Sequence, residues 1–238
     1  MAESTHTAAA PDTCAVVAAG GLGLRFGDAR GKQYVELCGL PVLDWSVAAL
    51  DEALSVGHVV IVCPHGRVEE TRKIVGLIAP CVPVTFVEGG ATRQESCLAG
   101  IRAVPGDFPL VAIHDGARPL VSEAVITEAV TTAAEFGAAA PVVPVKDSIK
   151  RIEDGNIAAD VARDTLAAVQ TPQVFRKDLL RRALTSAAER GYSFTDDCAA
   201  VESLGTIVKA THGSYQNIKI TTPEDILVAE ALLTREDK

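Results

Sequence analysis

No stretch of the 238-residue sequence contains the roughly 18 consecutive apolar residues that a membrane-spanning helix requires. Residues 1–12 also lack the cationic start and apolar core of a secretory signal, so we expect a frayed, disordered tail before a single domain over residues 13–238. Aromatic residues form only 4% of the chain, whereas alanine, valine, leucine and isoleucine are plentiful. This mixture favours helices layered on a sheet over a β-sandwich.

Positive charge is scarce as well. The chain has 22 lysine and arginine residues against 31 aspartate and glutamate residues, which gives a formal net charge of −9. Nucleic acids and anionic membranes attract proteins with a dominant positive field, so neither is an expected partner. The six cysteines include no Cys-x-x-Cys pair, which predicts free thiols, no structural zinc and a reducing, cytoplasmic location.

Apolar segments of strand length alternate with helical patterns over the first 145 residues. The predicted strands cover residues 14–19, 58–63, 82–87, 110–114 and 138–145. The predicted helices between them cover residues 42–53, 67–78, 92–104 and 122–136, the last with Ser122 as its N-cap. This alternation predicts an α/β fold with a Rossmann-like, mainly parallel sheet flanked by helices and joined by right-handed crossovers.

The alternation stops at residues 146–175, which have an extended character and a turn at 153–156. A hairpin there would project from the sheet as an arm. Further on, the predicted helices cover residues 177–190 and 196–204, and the predicted strands 206–210 and 217–220. Thr222 and Pro223 have the residue types of an N-cap and a first helical position, and predict a final helix.

Ligands of an open parallel sheet bind beyond the carboxyl ends of its strands, so the loops there carry the functional signal. The first loop is rich in glycine, and it carries Arg25 and Lys32. A dinucleotide fingerprint would need glycine where Phe26 stands, and a P-loop would need serine or threonine where Gln33 stands. Two cations beside such a turn favour a polyphosphate ligand; a solvated loop with incidental charges is the alternative.

Three later segments follow strand ends in the same way. Gly89 and Gly90 permit close approach of a base or ribose, although a turn followed by a helix cap would use the same residues. Asp115 is placed to hold Mg²⁺ beside a nucleotide, and a salt bridge from Asp115 to Arg118 is the alternative. Lys219 precedes the final helix and can point into the same cleft.

Together these segments resemble those of a known family. In chain order they are AGGLGLR (19–25), GKQ (31–33), GGATRQES (89–96), HDGARP (114–119), PVKDSIK (144–150), QTPQ (170–173), TDD (195–197) and NIK (217–219). The set is similar to the 2-C-methyl-D-erythritol 4-phosphate cytidylyltransferases of non-mevalonate isoprenoid synthesis, and the resemblance runs from about residue 14 to 233. It departs from them where Ala18 and Gly31 replace frequent prolines, Gly20 replaces alanine and Ser148 replaces threonine.

The resemblance implies that CTP and methylerythritol phosphate, a small polyol phosphate, give a CDP-linked alcohol and pyrophosphate with Mg²⁺ at Asp115. It implies a homodimer in which each arm, at about residues 146–175, reaches the neighbouring subunit and supplies Arg163. The catalytic residues would be Arg25, Lys32 and Lys219. The nucleotide site would comprise Ala19, Gly20, Gly21, Gly23, Arg25, Lys32, Gly89, Gly90, Ser96, Asp115 and Gly116. The acceptor site would comprise Asp115, Arg118, Ser148, Arg163, Thr195 and Lys219, with Asp196 in the pocket wall.

Three other functions remain to be weighed. A ribitol 5-phosphate cytidylyltransferase would share the glycine-rich loop and the NIK segment. An NAD(P)-dependent oxidoreductase would need an acidic residue at the end of the second strand, where Cys63, Pro64 and His65 stand. A catalytically inactive nucleotide-binding regulator would have no need to keep Lys32 and Lys219.

Overall fold

The computed structural model describes residues 11–21, 26 and 31–236, with side chains up to residue 234. Its strands are β1 (Thr13–Ala18), β2 (Glu36–Leu37), β3 (Leu40–Pro41), β4 (Val56–Cys63), β5 (Val84–Glu88), β6 (Leu110–Asp115), β7 (Ala138–Pro144), β8 (Ile149–Glu153), β9 (Asn156–Val161), β10 (Ala167–Val169), β11 (Gln173–Arg176) and β12 (Lys209–His212). Its helices are α1 (Val42–Asp51), α2 (Val68–Val75), α3 (Arg93–Ala103), α4 (Glu123–Phe136), α5 (Lys177–Glu189), α6 (Asp197–Glu202) and α7 (Pro223–Glu236).

The main sheet has the order β5-β4-β1-β6-β11-β7-β12, and β10 pairs with the end of β7 beyond β11. β1 lies between β4 and β6 and is parallel to both, and β5 is parallel to β4. β11 is antiparallel to both of its neighbours. The predicted mainly parallel α/β sheet with flanking helices is therefore confirmed, and β10 and β11 make it mixed.

The apolar character of β1 follows from burial of both of its faces. Ala15 and Val17 belong to a core that α1 and α4 cover, with Leu50 and Ile126 among its members. Cys14 and Val16 face the opposite core, to which α3 and α5 contribute Ile101 and Leu184. Alternate residues of one continuous apolar strand thus enter two different cores. This burial fixes the strand ends that carry the functional loops.

Two predicted segments differ from the structure. The arm does not extend to residue 175, because β10 and β11 return to the main sheet; the hairpin of β8 and β9 forms a separate two-stranded sheet with its turn at 154–155. The strand predicted at 217–220 is wrong: Ile220 donates its N–H to Ala117 in a loop at 2.8 Å, and no sheet pairing forms there. Polar and apolar residues alternate in this segment, but it forms a loop packed at the end of β6 and makes no strand pairing.

Other boundaries agree closely with the predictions. The strand predicted at 206–210 begins later, at Lys209, and Ser122 occupies the N-cap position of α4 without a capping hydrogen bond from its side chain. Pro223 opens α7 as predicted. Nearly all of the predicted tail, residues 1–12, lies outside the described residues. Within the described part of the chain, no helix is both long enough and apolar enough to cross a membrane.

Candidate active site

A cleft of about 840 Å³ opens at the carboxyl ends of the central strands. Its wall combines the loops after β1, β4, β5 and β6 with the segments that carry Lys32 and Lys219. The polar and glycine residues that line it are Gly20, Gly21, Lys32, Gln33, His65, Arg67, Gly90, Thr92, Arg93, Ser96, Asp115, Lys219 and Thr221. The four segments that the sequence analysis singled out therefore meet in one cavity.

One end of the cleft is built around glycine and a serine hydroxyl. Ser96 Oγ donates to the Thr92 carbonyl at 2.8 Å and accepts the N–H of Gly90 at 3.1 Å. Gly89 lies behind this contact, where a Cβ atom would stand 2.8 Å from Ser96 Oγ. The Thr92 side chain also caps α3 by accepting the N–H of Glu95. The helix cap that was the structural alternative is present, and it shapes the cleft wall as well.

The Lys32 segment is held by the residues that follow it. Gln33 is buried and its Nε2 donates to the Ala19 carbonyl at the end of β1, at 2.7 Å. The Tyr34 hydroxyl lies 2.7 Å from the Thr71 hydroxyl on α2. Gly31 has a φ of 97°, which proline cannot adopt, so the glycine found here suits this backbone. Of the predicted residues in the first loop, Gly23 and Arg25 lie outside the described residues.

Opposite charges meet at the other end of the cleft. Asp115 Oδ2 lies 2.9 Å from Lys219 Nζ and 3.2 Å from Arg118 Nε. Burial raises the pKa of the Asp115 carboxyl, but Lys219 and Arg118 outweigh burial and hold that pKa at about 2. The salt bridge between Asp115 and Arg118 is therefore real, and it is part of a larger cluster that includes Lys219.

A buried histidine supports this cluster from below. Thr171 Oγ1 accepts the N–H of Asp115 at 3.0 Å and lies 3.1 Å from His114 Nδ1. Because the Arg118 carbonyl 3.2 Å from Nε2 is an acceptor, Nε2 carries the proton and Nδ1 accepts from the threonine hydroxyl. Burial lowers the pKa of His114 to about 4, so the ring is neutral near pH 7. His114 is therefore a buried residue that packs at the end of β6.

Two buried amides join the Lys219 segment to the sheet. Asn217 Nδ2 donates to the Thr171 carbonyl at 2.9 Å, and the Asn217 carbonyl accepts from Arg118 Nη1 at 2.7 Å. Gln170 bonds both backbone groups of Ser214, at 2.7 and 3.1 Å. Gln170 and Asn217 belong to the QTPQ and NIK segments, and neither was predicted to be a site residue. Both side chains are buried and hydrogen-bonded in the fold.

The sequence and the fold are similar to those of known proteins. A sequence model of the 2-C-methyl-D-erythritol 4-phosphate cytidylyltransferase family matches residues 13–235. The chain belongs to this family. The enzyme of that name from Desulforamulus reducens is 44% identical over 94% of this chain and 96% of its own, and that from Pelotomaculum thermopropionicum is 43% identical over 92% and 93%.

Solved structures of cytidylyltransferases have the same fold. The crystal structure of 2-C-methyl-D-erythritol 4-phosphate cytidylyltransferase from Thermus thermophilus aligns with a TM-score of 0.78 and 33% identity, over 92% of this chain and 98% of that one. A 4-diphosphocytidyl-2C-methyl-D-erythritol synthase from Anaerococcus prevotii aligns with a TM-score of 0.82 and 29% identity, over 93% and 96%. The likeness covers more than nine-tenths of this chain and of each solved structure.

Several predicted site residues lie outside the cleft of their own chain. Ser148 is exposed just before β8, and Thr195 is exposed just before α6. Arg163 donates to the Lys146 carbonyl at 2.6 Å and lines a separate cavity of about 390 Å³ at the base of the hairpin. Gly116 packs behind the cleft, where a Cβ would lie 3.0 Å from Leu43 and 3.1 Å from Val17.

An arginine that sequence reasoning did not assign also lines the cleft. Arg93 Nη2 lies 2.5 Å from Oδ2 of Asp197, whose carboxylate is fully buried. Gln173 accepts the backbone N–H of Asp197 at 3.1 Å and donates to Asp196 Oδ2 at 3.0 Å. Asp196 in turn caps α6. Asp196 thus fixes α6, and Asp197 fixes Arg93 at the cleft wall. Spacing in the sequence does not indicate this pairing between distant segments.

Proposed function

We propose that this protein transfers the cytidylyl group of CTP to 2-C-methyl-D-erythritol 4-phosphate, releasing pyrophosphate and forming the CDP-linked alcohol. Membership of the cytidylyltransferase family and of its fold supports this reaction. The observation that links this reaction to particular residues is that Lys32, Asp115 and Lys219 meet in one cleft, which Gly20 and other glycines also line.

The chemistry requires positioning more than proton transfer. The phosphate monoester of the acceptor is already an anion near neutral pH, so its oxygen can attack the α-phosphorus of CTP without a general base. The new P–O bond forms as the bond to the pyrophosphate oxygen breaks, and pyrophosphate leaves with that electron pair. Two polyanions must be held in line, and cations must stabilise the charge that develops on the phosphoryl oxygens.

The two ends of the cleft divide this work. Gly90 and Ser96 form the end proposed to receive cytosine and ribose. Arg118 and Lys219, linked through Asp115, form the end proposed to hold the acceptor phosphate. Lys32 lies between the β1 end and α2, where it would stabilise the pentacoordinate phosphorus together with Arg25. Removal of Lys32 should lower turnover about a hundredfold, comparable to loss of a preorganised donor of about 3 kcal/mol.

Magnesium is proposed to bind at Asp115. Among the described residues, no group of three or more histidine, cysteine or acidic side chains could form a protein-only metal cage. Mg²⁺ commonly uses one or two carboxylates together with substrate phosphates and waters, so a single cleft carboxylate fits this ion. When bound, it would neutralise triphosphate charge. Asp115 itself orients Lys219 and Arg118.

A pyrophosphate-release assay tests the reaction. With CTP, the methylerythritol acceptor should support turnover, whereas ATP, GTP and UTP should support much less. Ribitol 5-phosphate is the matched acceptor control, and faster release with it would replace the proposed acceptor. Lack of turnover with either acceptor by a folded protein would favour a regulator, and binding of NADPH would favour the oxidoreductase.

The hairpin of β8 and β9 is proposed to exchange between two copies of the chain and to carry Arg163 into the partner's cleft. Ile152 and Ile157 on the hairpin are 58% and 71% exposed, apolar surface that a second copy would cover. A mixture of Arg163→Ala and Lys32→Ala chains should regain activity, because one cleft of each mixed dimer would have both wild-type residues. A mixture no more active than its components would contradict this shared site.

A further inference from the structure

The loop at residues 213–219, here called the Lys219 loop, is attached to the base of the hairpin on both sides. Its first residue, Gly213, donates its N–H to the Val142 carbonyl of β7 at 2.9 Å. Its last residue, Lys219, reaches Asp115 in the cleft. The loop therefore spans the distance between the strand from which the hairpin departs and the acceptor end of the active site.

Tyr215 makes the contact on the departing side. Its hydroxyl donates to the carbonyl of Pro144, the last residue of β7, at 2.8 Å. Lys146 Nζ lies 3.4 Å from the centroid of the Tyr215 ring, a cation–π geometry. The Lys146 carbonyl accepts from Arg163 on the returning side of the hairpin at 2.6 Å. One aromatic side chain of the loop thus touches the point from which the hairpin leaves the sheet.

Gln170 makes the contact on the returning side. It follows β10, is buried, and bonds the backbone N–H and carbonyl of Ser214. A Cβ on Gly213 would lie 2.6 Å from Gln170 Oε1 and 2.9 Å from the Val142 carbonyl, so the loop packs too closely here for a side chain. Asn217 continues the connection to Thr171 and Arg118.

From these contacts we infer that Tyr215 is a positioning residue that couples the base of the hairpin to Lys219. The inference rests on the proposed function for its effect on catalysis. Displacement of the hairpin base moves the carbonyl of Pro144 and the ammonium of Lys146, and Tyr215 transmits that displacement through the three intervening residues to Lys219. In a dimer with exchanged hairpins, contact of one hairpin with its partner would tune the acceptor site of the hairpin's own chain.

Two variants separate the components of the Tyr215 contact. Tyr215→Phe removes the hydrogen bond to Pro144 and keeps the ring under Lys146. Tyr215→Leu removes both contacts. The side chain is about half exposed, so neither change disturbs the core. His212→Ala is the matched control, because it removes a neighbouring contact to Glu128 of α4 rather than to the hairpin.

Steady-state kinetics give the first measurement. The KM for the acceptor should rise about tenfold in Tyr215→Leu and about threefold in Tyr215→Phe, with the KM for CTP within about twofold of wild type, a tenfold change corresponding to about 1.4 kcal/mol. His212→Ala should leave both constants unchanged. Equal changes in both KM values, or no change in Tyr215→Leu, would overturn the positioning role.

Hydrogen exchange gives a second measurement that does not depend on catalysis. Tyr215→Leu should speed exchange of the amides of residues 214–219 several-fold and leave those of residues 93–103 in α3 unchanged. If wild type shows no turnover with CTP, the proposed function fails, and exchange still decides the coupling. Unchanged exchange in the Lys219 loop would overturn the coupling whatever the activity.

Discussion

The two ends of the cleft differ in the chemical groups that line them. At the glycine end, the backbone at Gly89 and Gly90 packs closely against the Ser96 hydroxyl, and Thr92 and Arg93 complete the wall. At the charged end, Asp115 and Lys219 are part of a cluster supported by buried amides and a neutral histidine. Close backbone packing shapes the first end, and pairing of charged side chains shapes the second.

This difference suits the two proposed ligands. A base is flat, and both base and ribose are uncharged, so backbone without side chains can approach them closely. A phosphate monoester is a compact dianion, and it needs cations held close to one another. Asp115 pairs with both Arg118 and Lys219 and so offsets the repulsion between these two cations. Substitutions at each end should therefore fail in different ways.

The largest expected effect is at the charged end, in Lys219→Met. The change removes one cation and leaves Asp115 with Arg118 alone, so kcat/KM for the acceptor should fall about a hundredfold, as truncation of a partly buried charge pair commonly costs about 3 kcal/mol. The KM for CTP should change by less than about threefold. Steady-state kinetics with each substrate varied in turn would check this.

Lys209→Met is the matched control for that substitution, because Lys209 lies on β12 with its ammonium over the Phe136 ring, away from the cleft. It should leave both substrates unaffected. A comparable loss of CTP and acceptor binding in Lys219→Met would mean that the two ends are not separate.

A second buried carboxylate, without a charged partner, contrasts with Asp115. Asp44 on α1 is fully buried, and neither carboxylate oxygen has a hydrogen-bond partner in the described part of the chain. Burial raises the pKa of Asp44 to about 7, in contrast to the paired Asp115. Asp44 therefore favours the folded chain when it is protonated. This contribution to the free energy of unfolding is complete below the pKa of the unfolded chain, about 4, and is lost as the pH rises through the folded-state pKa of about 7.

The free energy of unfolding of wild type should therefore fall by about 2–3 kcal/mol between pH 5 and pH 8 because of Asp44. Urea unfolding at several pH values would measure it, with Asp44→Asn as the variant that lacks the titrating group. The difference between the two curves isolates Asp44 from other acids. Parallel curves would show that Asp44 ionises as freely in the folded chain as in the unfolded one.

The sequence predicted those parts of the molecule that depend on local pattern. The buried strands, the helices between them and the convergence of Lys32, Asp115 and Lys219 follow from apolar runs and from the geometry of strand ends. The return of residues 167–176 to the sheet was missed, because antiparallel pairing with β6 and β7 depends on distant partners.

The supporting contacts were harder to predict for the same reason. Arg93 pairs with Asp197 more than 100 residues away, and Asn217 bonds Thr171 in another loop. Periodicity carries no information on which buried polar groups meet.

At the glycine end, Gly89→Ala should have a moderate effect. Its Cβ would stand 2.8 Å from Ser96 Oγ and 3.2 Å from the Cys63 carbonyl, so the hydroxyl or the strand end must shift. The KM for CTP should rise about tenfold, a change of about 1.4 kcal/mol, with the KM for the acceptor nearly constant. Kinetics with CTP varied at saturating acceptor would measure it, and an acceptor-specific defect would count against the assignment of this end to the nucleotide.

The smallest effect is expected at Gly20, which faces the same two groups as Gly89 from the opposite side. Here a Cβ would lie 3.6 Å from the Cys63 carbonyl and 3.8 Å from Ser96 Oγ, which are ordinary contacts. Because alanine also reduces the entropy of the unfolded chain, Gly20→Ala should raise the free energy of unfolding by about 0.4–1 kcal/mol. Both KM values should stay within about twofold of wild type.

Urea unfolding of Gly20→Ala and Gly89→Ala side by side would test the pair, since their Cβ atoms differ mainly in distance to shared neighbours. A destabilised Gly20→Ala with weakened CTP binding would show that the glycine end needs glycine throughout, rather than only where the wall closes on Ser96.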